Sequence, residues 1–146
     1  MLRRTTLLLP ALLLAPGTAR ASVWLVTERE AALGTAEDAQ GTRAVTRGPG
    51  IRYVAPRLNA VPAGQPFWLR IEFSGRGGAA VNPASVRVTL LRGGRIDITS
   101  RLQGYITASG IDIPEALAPA GKHALRIEVA DDQGRQSAAV LDVDVR

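Results

Sequence analysis

The chain predicts an all-β fold, an antiparallel β-sandwich of about seven short strands. Three observations carry this. Apolar residues alternate with polar ones in most of the chain from Ile51 onward. Turn residues recur at roughly the eight-to-twelve-residue spacing of a sandwich. No long segment shows a helical period.

The strands follow in order. "IRYVAP" from Ile51 is the first, and Pro62 and Pro66 bracket a turn. "FWLRIEFS" places Phe67, Leu69, Ile71 and Phe73 on one face and Trp68, Arg70, Glu72 and Ser74 on the other. "GRGG" (75–78) breaks it, and "VNPAS" (81–85) reads as a turn. "VRVTLLR" points Val86, Val88 and Leu90 inward and Arg87 and Thr89 outward. Gly93-Gly94 leads into "IDIT", and "RLQGYI" reads as an irregular or short helical crossing. "SGIDIP" is a short strand ending at Pro114, because proline cannot donate to a ladder. "ALAPAGK" reads as a loop. "HALRIEVA" points Leu125, Ile127 and Val129 inward. "DDQGR" turns the chain, since Asp bonds its own backbone and Gly accepts positive φ. "SAAVLDVDV" closes it, with Leu141, Val143 and Val145 inward. Strands of this number and spacing match an immunoglobulin-like arrangement.

Three parts organise the chain. Residues 1–21 have the form of a signal peptide: Arg3-Arg4, the apolar run "TLLLPALLLAP", and "ARA" before a cleavage site after Ala21. The run is too short to span a bilayer and no second candidate follows, so export is expected, to the periplasm or cell surface of a bacterium. The residues after Arg3-Arg4 fit a twin-arginine motif poorly, which favours the general secretory route. Residues 22–50 read as a leader, partly helical or flexible. Thr27 and Glu30 form a capping-box pattern before "AAL", and "GTAEDAQGTRAVTRGPG" is polar and glycine-rich. Residues 51–146 are the sandwich domain.

Charge narrows the partners. The whole chain carries 18 basic and 13 acidic residues, net +5, but Arg3, Arg4 and Arg20 leave with the signal and reduce this to net +2. Nucleic-acid binding would want basic residues clustered with aromatics on one surface, and it is not expected. The chain has no cysteine, so an exported domain here must rest on its hydrophobic core.

Chemistry finds few footholds. His123 is the only histidine, and with no cysteine a metal centre of three or four soft donors is not expected. His123 reads as a strand-end packing or hydrogen-bonding residue. Asp131 and Asp132, with Asp112 or Asp97, are the calcium candidates, but calcium needs six or more oxygens and an Asp pair commonly makes a turn without one. No G-x-S-x-G is present, and "GRGGAA" lacks the Gly-Lys-Ser/Thr ending of a phosphate loop. No catalytic residue and no cofactor is assigned.

Five residues make a candidate partner or ligand surface: Trp24, Trp68, Arg70, Arg87 and Arg126. Arg70, Arg87 and Arg126 fall on outward faces beside Glu72 and Glu128. They form either cross-strand charge pairs or an arginine face for an acidic glycan or lipid headgroup. Trp68 stands outward beside Arg70, as a binding aromatic or as a residue lying under the leader. Trp24 packs back on the domain edge or anchors a partner. Ser137 to Val145 is a long strand open to augmentation, unless Asp142 and Asp144 protect its edge.

On "GPGIRYVAP", "NPASVRVTLL", "IDIT" with Arg101, "GIDIP" and "PAGKHALRIEVADDQGRQS", the chain resembles small exported bacterial proteins of unknown function with one immunoglobulin-like domain. The resemblance covers Gly48 to the end, with "RLNAVPAGQPF" where an extended segment usually leads into the second strand. It implies the sandwich and the cell envelope, and no activity. The function expected is a non-catalytic envelope binding or protein-interaction module. The alternative is an accessory carbohydrate-binding domain beside an envelope polysaccharide enzyme.

Overall fold

A computed structural model describes residues 21–36, 47–57 and 60–146. The signal segment and most of the 34–50 arm lie outside the described residues. Within them the chain is all-β, with strands β1 (Val23–Trp24), β2 (Gly50–Ala55), β3 (Phe67–Ser74), β4 (Val81–Leu90), β5 (Ile96–Asp97), β6 (Ile106–Thr107), β7 (Gly110–Leu117), β8 (Gly121–Asp131) and β9 (Gln136–Val145). Two one-turn helices, α1 (Glu28–Ala31) and α2 (Thr99–Leu102), interrupt them. None of the described helices is long and apolar enough to cross a membrane.

The strands form two sheets. The first runs β1-β7-β3-β2, with β6 also on β7, and the second runs β5-β4-β8-β9. All pairs are antiparallel except β1 with β7. The alternating residues of β3, β4 and β8 point inward as expected, and Phe67, Leu69, Ile71, Phe73, Val86, Val88, Leu90, Leu125, Ile127 and Val129 share one buried cluster. Leu141 is only partly buried against it.

Four details differ from the sequence reading, each for a local reason. The first is the leader: residues 22–33 belong to the fold. Val23 pairs with Ala116, and Leu25 and Val26 are both 1% exposed within the common core. The capping box at Thr27 is present, and Glu30 also takes a hydrogen bond from Arg101 at 2.9 Å. That bond, first among several, draws the Glu30 carboxyl down to about 2.

The second is Pro114, which does not end its strand. Leu69 pairs with Ile113 and Phe67 with Ala116, so Pro114 and Glu115 together oppose Trp68. A bulge of this kind uses no amide at the proline position. β7 therefore reaches Leu117, and only Ala118–Ala120 remain of the expected loop.

The third is "VNPAS", a bulge inside β4 rather than a turn. Asn82 pairs with Ala130 and Arg87 with Glu128, which leaves Pro83 to Val86 opposite one residue. Ser85 closes the gap. Its hydroxyl donates to the Asn82 carbonyl at 2.6 Å and accepts from the Ala130 amide at 2.8 Å. The fourth is "IDIT": the strand stops at Asp97, whose carboxylate accepts from the Thr99 amide at 2.8 Å as the chain enters α2.

Candidate interaction surfaces

The five candidate surface residues lie on two different faces. Trp24, Trp68 and Arg70 project from the outer face of the first sheet. Arg87 and Arg126 project from the outer face of the second, across the core. A single arginine face is therefore not formed, and the expectation that grouped Arg70 with Arg87 and Arg126 is corrected. Alternation tells which side of its own sheet a residue takes; pairing decides which sheet that is.

The first face is a ladder of charge pairs. Arg52 pairs with Glu72, Glu72 with Arg70 at 3.2 Å, and Arg70 with Asp112 at 3.6 Å. Trp68 ends the row: its indole N–H donates to Asp112 at 2.7 Å, and the Arg70 guanidinium lies 5.7 Å from the ring centroid. Arg52, Arg70, Glu72 and Asp112 thus all have partners of opposite charge. Glu72 is held below the usual carboxylate range, first by the Arg52 hydrogen bond. Trp68 stays 46% exposed. Trp24 is also 46% exposed. It shares the outer face with Leu117, its β7 partner, and lies two strands from Trp68, about 10 Å across the sheet.

The second face is hollowed. A groove of about 450 Å³ is lined by Ser85 and Arg87 of β4, Arg126, Glu128 and Ala130 of β8, and Gln136, Ser137 and Ala138 of β9. It lies beside the β4 bulge, whose Ser85 lines it, and over the small residues Ala130 and Ala138 of β8 and β9. Arg126 reaches Glu128 at 3.2 Å. Arg87 has a looser partner, Asp97 at 3.6 Å, and its side chain is 69% exposed. Asp97 itself is lowered first by the Thr99 hydroxyl and amide, with Arg87 a smaller cause.

The last hairpin is structural in its details. Asp131 accepts from the amides of Gln133 at 3.0 Å and Arg135 at 2.9 Å, and from the Arg135 guanidinium at 2.8 Å. Both its oxygens hold the turn, and Arg135 passes the link on to the Arg76 carbonyl at 2.8 Å. His123 is 1% exposed, with Nε2 2.7 Å from the Pro119 carbonyl. That carbonyl only accepts, so Nε2 carries the proton, and the buried Nδ1 has no partner. Burial first, and nearby Arg92 second, push the imidazole below its ordinary value. Arg92 ties the N-terminal segment down, donating to the carbonyls of Ala31, Leu33 and Lys122. β9 is an edge strand as expected, but Val61 bridges its Val145 end.

Three contributors escaped the sequence reading. Asp112, weighed only for calcium, is the acceptor that holds Trp68; its outward position in "GIDIP" was the available signal. Ser85 and the alanine pair shape the groove, and an Asn-Pro inside an otherwise alternating run was the sign of a bulge. No protein-family model, curated protein or solved structure matches this chain.

Proposed function

We propose that the protein is a non-catalytic binding module of the bacterial envelope, exported and cleaved after Ala21, with an immunoglobulin-like sandwich as its frame. The strand orders support that frame, since β2-β3-β7 opposite β5-β4-β8-β9 is the connectivity such domains use. One observation carries the function: two half-exposed tryptophans share one sheet face on which the neighbouring charges are already paired. Aromatic residues and arginine are enriched at the centre of protein interfaces, and Glu72 and Asp112 on this face are already paired with arginine. Trp68 is also held in place before any partner arrives, which reduces the entropy lost on docking. The expected partner is another envelope protein.

The test is capture from envelope extract with residues 22–146 as bait, repeated with Trp24→Ala, Trp68→Ala and Arg87→Ala. A stoichiometric protein lost with either tryptophan variant and kept with Arg87→Ala supports the reading. Equal capture by all four baits, or none by any, overturns it.

A further inference from the structure

We infer that the groove on the second sheet is a separate binding site for an acidic sugar, one carrying a carboxylate beside its hydroxyl groups. Four observations converge. The groove is concave where an alternating sheet face would be flat, and its 450 Å³ falls within the usual size range of small-ligand sites. Its shape is held by the Ser85 bonds to Asn82 and Ala130.

Charge selects the ligand's sign. Two guanidinium groups border the groove against the single carboxylate of Glu128. Arg126 gives that carboxylate one hydrogen bond, and Arg87 meets its acid only at 3.6 Å, outside the groove. A guanidinium has five N–H donors in a planar fork that matches a carboxylate. Arg87, the more exposed of the two, is the anion clamp.

The remaining lining selects the rest of the ligand. Glu128 accepts hydrogen bonds, and the Gln136 amide both donates and accepts. A bare anion would leave these groups unused, whereas ring hydroxyls satisfy them. The methyl groups of Ala130 and Ala138 offer an apolar floor to the face of a sugar ring. The site lies across the core from Trp68, so it stands or falls independently of protein docking on the first face.

The experiment is a titration of the mature chain, residues 22–146, followed by amide chemical shifts, with sodium glucuronate, glucose and inorganic phosphate as separate probes. Glucuronate is expected to bind in the millimolar range and to shift the amides of Ser85, Glu128, Ala130 and Ala138. Glucose and phosphate are each expected to bind at least tenfold more weakly. Arg87→Ala should weaken glucuronate at least tenfold, Ala138→Leu should abolish it, and Trp68→Ala should leave it unchanged. No shift with glucuronate overturns the proposal. So does phosphate binding as tightly as glucuronate, which would mark a general anion patch, or an Arg87→Ala chain that binds as before.

Discussion

The outer faces of the two sheets are built from similar residues and end up different. Each has arginines and acids on alternate positions. On the first, Arg52, Glu72, Arg70, Asp112 and Trp68 form one continuous row of side-chain partners, even though β3 and β7 slip register at Trp68. On the second, β4 loops out over Pro83 to Val86, and the row is interrupted. The continuous row gives a charge-paired face suited to a broad partner. An interrupted one gives a concavity, bordered by Arg126 and Arg87, of which Arg87 has a side chain 69% exposed.

The largest expected effect comes from breaking the first ladder at its frame. Gly110 has φ +143°, and a Cβ there would fall on the Ile71 carbonyl. Gly110→Ala combines that overlap with backbone strain, and should cost about 3 kcal/mol. Urea unfolding measures it; a loss under 1 kcal/mol would mean that the backbone at Gly110 and Ile71 relaxes to admit a Cβ.

The next effect sharpens the contrast from the other side. Ser85→Ala leaves the Ala130 amide without its partner in the groove wall, at a cost of about 2 kcal/mol. Amide exchange at Ala130 should quicken in step. Unchanged exchange would show that the bulge, and hence the hollow, does not depend on Ser85.

The smallest effect concerns the end of the second sheet that holds His123. Its folded value is depressed, so the unfolded chain takes up the proton first as pH falls. The contribution to stability is complete above the ordinary histidine value of about 6.5 and declines as pH drops toward the folded value, by at most about 1.4 kcal/mol per unit. Melting curves at about pH 7.5 and pH 5.5 should show this decline in the native chain and a shallower one in His123→Gln. Parallel declines in both would remove His123 as the cause.

Much of this was legible from residue order. The alternation in "FWLRIEFS" and "HALRIEVA" places the core correctly because a strand's period of two is a property of its own backbone. The capping box at Thr27 and the Asp131–Gly134 turn were equally visible, since both close through bonds within a few residues. Local chemistry of this kind needs no partner strand.

What residue order left open was decided by pairing across the chain. Pro114 sits inside a strand because a residue more than forty positions earlier, Trp68, tolerates two residues opposite one. "VNPAS" is a bulge because the Ser85 hydroxyl receives the Ala130 amide hydrogen. Leu25 and Val26 are core because β1 lies along Ala116 and Leu117. The same holds for the surfaces. Alternation alone turned Trp68, Arg70, Arg87 and Arg126 outward, but outward has no shared direction until the sheets exist. Only the stacking of the two sheets over one core sent the tryptophans to one side and Arg87 and Arg126 to the other.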